Sequence, residues 1–334
     1  MSETPVAYTK KDFMSDQIIR WCPGCGDYAI LSQAQTVFAE MGIPREKFAI
    51  ISGIGCSSRF PYYINAYGFH TIHGRAFAVA TGLKITRPEL SVWVATGDGD
   101  ALSIGGNHFI HVLRRNVDLQ ILLFNNRIYG LTKGQYSPTS EVGKKTKSTP
   151  FGSIDHPFSP GALALGSDAS FVARTVDIFT KDQRDVLRAA ADHKGTSFVE
   201  IYQNCNIFND NAWTQLTDKP VREERCLFLT HGAPMVFAGG TRGIKLNGIR
   251  PEVVSLGNGL SASDCLVHDE TDPFLGAIIA RMDYPDFPVP MGVLYRRPRP
   301  TYEVQANDQM AAAKAQKAPD LQKLLLGNET WTVT

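Results

Sequence analysis

Apolar runs of strand length, each cut off by small or oxygen-bearing residues, recur between residues 48 and 202. Phe48-Ala49-Ile50-Ile51 leads into Gly53-Ile54-Gly55-Cys56, Val92-Trp93-Val94-Ala95 into Gly97-Asp98-Gly99-Asp100, and Leu122-Leu123-Phe124 into Asn125-Asn126. Continuous rather than alternating apolarity marks strands covered on both faces. Further strands are predicted at 170–173 and 197–202. Helical spacing fills the gaps. Residues 27–41 carry a stripe from Ile30 to Met41, with Asp27 as cap and Gly42 as stop. Other helices are predicted at 75–85, 104–115 and 162–166, and one at 180–193 behind the capping box Thr180-Lys181-Asp182-Gln183. Strands alternating with helices predict an α/β fold built on a doubly wound parallel sheet.

Two segments break this rhythm. Residues 129–152 are polar and too long for an ordinary connection, so a functional lid or binding loop is expected. After Cys205 the periodicities fade. The expected division is therefore a domain at 1–205 and an irregular extension at 206–334 that wraps the core or a partner, with a hairpin near 234–255 and a helix over 307–326.

Composition narrows the function classes. Among 334 residues, 34 Lys and Arg nearly cancel 33 Asp and Glu, which removes a broad case for nucleic acid or an anionic membrane surface. The N-terminal MSETPVAYTKKDFMSD lacks the apolar stretch of a signal peptide, and no run approaches the ~20 residues that span a bilayer. The default location is the cytoplasm, where six cysteines read as metal ligands or core residues rather than a disulfide framework.

The strand ends at 97–100 and 125–126 suggest a diphosphate held through a divalent cation. Asp98 offers a carboxylate oxygen, Asn126 an amide oxygen and Ile128 a backbone carbonyl. Few, hard oxygen ligands suit Mg²⁺, which keeps room for phosphate oxygens and water. Gly97 and Gly99 let backbone approach the diphosphate, and a helix starting near Asp100 would aim its N-terminus there. Either dipeptide alone could be a plain turn; both, ending successive strands, argue for a site. The pair resembles the thiamine-diphosphate motif, which implies Asp98, Asn126 and the Ile128 carbonyl as Mg²⁺ ligands and Gly99 and Asp100 at the diphosphate.

The cysteines admit three readings. Cys22-Pro23-Gly24-Cys25 precedes the first helix, where a helix N-terminus lowers thiol pKa, but no strand precedes it as a thioredoxin-like pair requires. Zinc needs a second ligand pair, and the other cysteines stand alone. An iron–sulfur cluster can draw thiolates from distant loops. Cys56 follows the first strand and Cys205 the last, so both sit at the strand edge where the diphosphate is expected. That placement favours one [4Fe–4S] cluster held by Cys22, Cys25, Cys56 and Cys205, leaving Cys226 and Cys265 structural.

Five motifs in order make a resemblance specific: Trp21-Cys22-Pro23-Gly24-Cys25-Gly26, Gly53-Ile54-Gly55-Cys56-Ser57, Thr71-Ile72-His73-Gly74-Arg75, Gly97-Asp98-Gly99-Asp100 and Tyr129-Gly130-Leu131-Thr132-Lys133-Gly134-Gln135. Over about residues 15–300 the chain resembles the β subunit of 2-oxoacid:ferredoxin oxidoreductases. The resemblance implies the thiamine-diphosphate-binding fold and the four cysteines above as cluster ligands, with Ile54, Gly55, Cys56, Ser57, His73, Gly130 and Leu131 lining the cofactor. It also implies coenzyme A as co-substrate, ferredoxin as electron partner, and an α subunit that supplies the glutamate activating the cofactor's pyrimidine, in a dimer of αβ heterodimers. The reaction implied is decarboxylation of a 2-oxoacid to an acyl-coenzyme A and CO₂, reversible toward CO₂ fixation with strong reductant. His73 is a candidate for polarising the substrate; a hydrogen-bonded structural histidine is the competing reading, and the preferred one for His70.

Arg59 and Lys133 are expected at the substrate end. A cation there would pair with the distal carboxylate of 2-oxoglutarate, whereas pyruvate has none to offer. The Leu-Thr-Lys-Gly-Gln form resembles 2-oxoglutarate enzymes, while Arg at 59 departs from the Lys of many relatives and could grip a carboxylate bidentately. A pyruvate or broad-range enzyme is the near alternative. A non-oxidative thiamine decarboxylase would leave the cysteines unexplained, and the intact Asp98 and Asn126 argue against a zinc-stabilised binding subunit with a degenerate site.

Overall fold

A computed structural model describes residues 7–333; the first six residues of the polar N-terminal stretch, and Thr334 of the expected extension, lie outside the described residues. One sheet has eight strands in the order β2-β1-β3-β4-β6-β5-β11-β7. These are β1 (Phe48–Ser52), β2 (Tyr67–His70), β3 (Ser91–Gly97), β4 (Gln120–Asn125), β5 (Phe171–Val176), β6 (Ser197–Tyr202), β7 (Cys226–Phe228) and β11 (Val289–Arg296). Strands β1 to β6 pair in parallel, β11 runs antiparallel to β5, and β7 lies parallel to β11.

Strand periodicity divides the core. Ile50, Trp93, Leu122 and Val199 face α1 (Asp27–Glu40) and α5 (Thr180–Asp192) on one side. Their neighbours Ile51, Val94, Leu123 and Phe198 face α2 (Ala76–Thr86) and α3 (Gly106–Arg115) on the other. Burial on both faces is why these strands read as unbroken apolar runs. From β1 the chain steps to β2 on one side, then returns to β3 on the other. Winding therefore reverses between β1 and β3, and a crevice opens beyond their C-terminal ends, where open parallel sheets take their ligands.

The extension is less irregular than its sequence suggests. It adds β7 and β11 to the main sheet and builds a second sheet from β8 (Val236–Phe237), β9 (Arg242–Asn247) and β10 (Arg250–Ser255), in which β9 and β10 are the expected hairpin. After α4 (Pro160–Gly166) in the first region, it contributes α6 (Thr214–Thr217), α7 (Lys219–Arg225) and α8 (Pro273–Ile279). The helix expected over 307–326 starts earlier, as α9 (Tyr302–Gln316), and breaks before Pro319, resuming as α10 (Leu321–Leu326). The boundary at 205 thus falls within a continuous sheet.

Two local expectations fail and one strand was not foreseen, each for an identifiable reason. Asp27 is the first helical residue rather than the cap; Gly26 takes that position and the Asp27 side chain is buried. The capping box at Thr180 does not form, because the helix starts from Phe179 and Asp182 instead accepts from Thr175 Oγ1 at 2.6 Å. Strand β2 went unforeseen because all four of its residues are exposed at the sheet edge, so no buried face imposes an apolar pattern.

Candidate cofactor site at the strand ends

The crevice is a cavity of about 110 Å³ lined by the ends of β1, β3 and β4. From β1 come Ile54, Gly55, Cys56 and Ser57; from β3 come Gly97, Asp98, Gly99 and Asp100. Asn126 and Ile128 follow β4, His73 precedes α2, and Gly130 and Leu131 close the rim. Every residue expected at the diphosphate or its cation therefore meets in one place.

The two aspartates differ in their partners. Asp98 is buried, and both side-chain hydrogen bonds it accepts, from Ser137 Oγ and Thr139 Oγ1 at 2.5 Å each, fall on Oδ2. Burial pushes its carboxyl above the ordinary value. Oδ1 is thus the oxygen available to a cation, and a cation would reverse the burial penalty. Asp100 has no such freedom. Oδ1 accepts from Ile54 N at 3.1 Å, Gly74 N at 2.7 Å and His73 Nδ1, and Oδ2 accepts from Thr96 Oγ1 at 2.7 Å. Its carboxylate fixes the Gly53–Ile54 turn and the His73 ring, so any diphosphate contact falls to its backbone. Chain density there is extreme. A Cβ on Gly53 would lie 1.8 Å from Asp100 Oδ2, and one on Gly99 would lie 2.1 Å from the Tyr129 ring. The turn Asp100–Ile104 is a wide π turn ahead of α3, a form common at functional sites.

The Asn125-Asn126-Arg127 turn is braced by the extension. Asn209 Nδ2 donates to Asn126 O at 2.9 Å and Trp213 Nε1 to Asn125 O at 3.1 Å. Arg127, held at φ 55°, lays its guanidinium 3.9 Å over Trp213, which stacks on Tyr202 at 3.6 Å. Asn126 Oδ1 itself accepts from Ile128 N at 3.1 Å.

The cysteines gather beside this cavity. Cys56 Sγ and Cys205 Sγ lie 3.7 and 3.6 Å from where a Cβ on Gly130 would stand, and Cys25 accepts from Gln203 Nε2 at 3.3 Å. Burial pushes the Cys25 thiol up, with Asp27, Cys205 and Cys56 adding to it; burial likewise pushes Cys56 up to about 12, helped by Asp27, Cys205 and Cys22. The helix N-terminus therefore does not lower Cys25 as the sequence suggested, because burial outweighs it. Such thiols become thiolates when a cation compensates. Among the described residues no three of His, Cys, Asp and Glu converge closely enough for a single ion; a cluster, whose irons separate its thiolates, does not need that closeness. Cys226 and Cys265 are buried elsewhere.

Next to the first cavity, sharing Ile54, Gly55 and Leu131, lies a second of about 480 Å³. Arg59 lines it together with Arg20 and His70, and no carboxylate does. His70 Nδ1 donates to Ser58 O at 2.9 Å, as the structural reading expects. Lys133 lines neither cavity. The 129–135 turn, closed by Tyr129 N to Gln135 O and Gly134 N to Tyr129 O at 2.9 Å each, holds Lys133 exposed at φ 75°. Sequence reasoning missed Arg20 and also Asp27, which lines the first cavity with Oδ2 unpartnered and whose carboxyl burial raises to about 7. An acid immediately after Cys-Gly at a helix start was the available signal.

A family profile described as "Thiamine pyrophosphate enzyme, C-terminal TPP binding domain" matches residues 53–201, the segment that builds this crevice. The 2-oxoglutarate oxidoreductase subunit KorB of Mycobacterium tuberculosis is 53% identical over 331 residues, covering 97% of this chain and 88% of the relative. The chain belongs to the KorB family. The 2-oxoglutarate synthase subunit KorB of Archaeoglobus fulgidus is 44% identical over 185 residues, 55% of this chain and 69% of its own. A solved 2-oxoglutarate:ferredoxin oxidoreductase from Magnetococcus marinus, with 2-oxoglutarate, coenzyme A and succinyl-CoA bound, superposes with a TM-score of 0.77 at 33% identity over 97% of both chains. The expected α/β thiamine-enzyme fold is thus borne out. No helix among the described residues is long and apolar enough to cross a membrane.

Proposed function

We propose that this chain is the β subunit of a 2-oxoglutarate:ferredoxin oxidoreductase, converting 2-oxoglutarate and coenzyme A to succinyl-CoA and CO₂. The observation that carries the reading is the convergence of Asp98, Asn126, Cys56 and Cys205 at adjacent strand ends; membership of the KorB family sets the reaction. Asp98, Asn126 and the Ile128 carbonyl would hold Mg²⁺, and Gly99 and Asp100 backbone the diphosphate. Cys22, Cys25, Cys56 and Cys205 would hold a [4Fe–4S] cluster. When bound, thiamine diphosphate supplies the electron sink for decarboxylation and the cluster a path for electrons to ferredoxin.

The chain's own residues then bind and orient. His73, tethered by Asp100, would polarise the substrate, and Leu131 and Tyr129 at the rim would help to shield the site from water. Arg59, with Lys133 on the adjoining turn, would pair with the distal carboxylate. A cavity of about 110 Å³ is far below the several hundred Å³ of complete small-molecule sites, which supports a half-site completed by an α subunit bearing the activating glutamate. We assign residues 1–205 to cofactor binding and 206–334 to bracing it and meeting that partner, in a dimer of αβ heterodimers. We place the chain in the cytoplasm, where cysteines serve as metal ligands or core residues rather than as a disulfide framework.

The test is co-purification with the α partner and reduction of methyl viologen by 2-oxoglutarate plus coenzyme A. Activity with 2-oxoglutarate well above pyruvate is expected. A complex that holds thiamine diphosphate and iron yet oxidises no 2-oxoacid refutes the reading.

A further inference from the structure

The long loop after β4 is not a free lid. Its deepest residues, Ser137, Thr139 and Ser140, are each 2–3% exposed although the segment has no regular structure. Ser137 Oγ and Thr139 Oγ1 both reach Asp98 Oδ2, and Ser140 Oγ donates to Arg127 O at 2.6 Å. The loop therefore grips both halves of the presumed cation site: the carboxylate after β3 and the turn after β4.

The grip continues into the sheet. Thr139 Oγ1 lies 2.9 Å from Asn125 Oδ1, whose Nδ2 donates to Glu200 Oε1 at 2.8 Å. Glu200 Oε2 accepts from Arg174 Nε at 2.9 Å. Asn125, Glu200 and Arg174 are buried on neighbouring strands β4, β6 and β5. A buried ion pair is a weak source of stability but a strong source of fixed geometry when its remaining atoms are bonded. Here it fixes the Asn125 side chain, against whose Oδ1 the Thr139 hydroxyl packs while its single proton goes to Asp98 Oδ2.

Elsewhere the loop is laced to itself and the extension. Gly143 N donates to Ser153 O at 2.7 Å, Phe158 N to Pro138 O at 2.9 Å, and Lys144 Nζ to Asn209 Oδ1 at 2.5 Å. Asn209 is the residue that also braces Asn126. Loop, metal turn and extension thus share partners.

We propose that Thr139 and Ser137 are positioning residues for the metal. Their hydroxyls hold Oδ2 of Asp98 so that Oδ1 is presented to Mg²⁺, and cation binding in turn fastens the 136–159 loop. The proposal rests on Asp98 being a metal ligand. Partners that orient a ligand without touching the metal commonly control affinity by 10–100-fold, and the coupling must be reciprocal: if the loop favours the metal, the metal favours the loop.

The experiment uses the complete αβ complex, stripped of divalent cation and supplied with thiamine diphosphate. Mn²⁺ binding is read from loss of the free-ion electron paramagnetic resonance signal, and loop order from tryptic cleavage at the exposed Lys145 and Lys147. Thr139→Val should weaken Mn²⁺ binding about tenfold and abolish the cation's protection of the loop, while iron content stays at the parent level. Thr139→Ser should restore both. Ser137→Ala, the smaller change, provides the same test should Thr139→Val fail to fold. Variants that fold and bind Mn²⁺ as tightly as the parent overturn the proposal. A parent complex that binds no Mn²⁺ with thiamine diphosphate overturns the metal-site reading itself, and the positioning role with it.

Discussion

Gly53→Ala is the most economical probe of how the site is held together. The new Cβ would sit 1.8 Å from Asp100 Oδ2, 2.5 Å from Cγ and 2.6 Å from Oδ1. Nothing at that range is the loose end of a flexible chain, because the carboxylate is buried and takes four donors. It must rotate away, and doing so breaks at least two of those bonds. Hydrogen bonds to a charged group net about 1.5–3 kcal/mol each, so the variant should lose about 3–6 kcal/mol. With an unfolding entropy of about 2.1 cal/mol/K per residue, a chain of this length should melt roughly 4–9 °C lower.

Function should fall further than stability. Ile54 and His73 lose the group that places them, and a displacement of about 1 Å at a reacting centre can cost on the order of 10²-fold in kcat/KM. The assay pairs thermal melts with viologen reduction by the αβ complex. The control is Asp100→Ala, which removes the obstructed carboxylate; in that background Gly53→Ala should cost almost nothing more, because the two changes share one interaction. A Gly53→Ala complex that melts and turns over like the parent, or that loses as much again in the Asp100→Ala background, refutes the packing argument.

Other perturbations separate the parts of the site. Cys56→Ser should lower iron content and visible absorbance while leaving thiamine-diphosphate binding in place; retained iron would remove Cys56 from the ligand set. Arg59→Ala with Lys133→Gly should raise KM for 2-oxoglutarate far more than for pyruvate, and equal losses on both would sink the carboxylate assignment. Burial lowers His193, whose Nε2 lies 2.8 Å from Ser170 Oγ, to about 4. The unfolded chain binds that proton near pH 6.5, so between pH 6.5 and 4 the unfolded state holds more protons and stability falls as pH falls. At about 1.36 kcal/mol per pH unit across that window, His193 alone contributes about 3 kcal/mol, present above pH 6.5 and lost toward pH 4. His193→Gln should flatten melting temperature across that window; an unchanged acid slope would exclude His193 as its source.

The strands and the site they deliver were legible because they carry local signals. Unbroken apolar runs such as Ile121 to Phe124 report burial on both faces, and what ends them must be small or must bind something. The failures share a physical cause, which is that the deciding partner lies outside the element being read. Nothing near Asp182 predicts that Thr175 will claim it, and nothing in 206–334 announces that Val289–Arg296 will extend the sheet beside β5. Arg20 joins Arg59 only because the chain before α1 folds over Tyr62 and Tyr63, at the end of the 3₁₀ turn Ser57–Tyr63 that follows β1. Lys133 is legible only in part: motif spacing locates its turn, while the turn's own hydrogen bonds and left-handed backbone hold the side chain exposed beside the two cavities rather than in their lining.

The same limit applies to the aspartates of Gly97-Asp98-Gly99-Asp100, of which Asp98 is expected at the cation and Asp100 at the diphosphate. Their difference lies in what arrives from elsewhere. Donors from β1, β3 and the turn before α2 saturate Asp100, so it can steer backbone and His73 but has little left for a cation. Asp98 receives two hydroxyls on one oxygen from a loop some forty residues on, and no side-chain donor on the other; such partners are what orient a ligand's free oxygen. One carboxylate is spent on building the site and the other is kept open for its ligand. Burying the first is tolerable because it is fully bonded within the chain; burying the second would be compensated by the cation proposed for it.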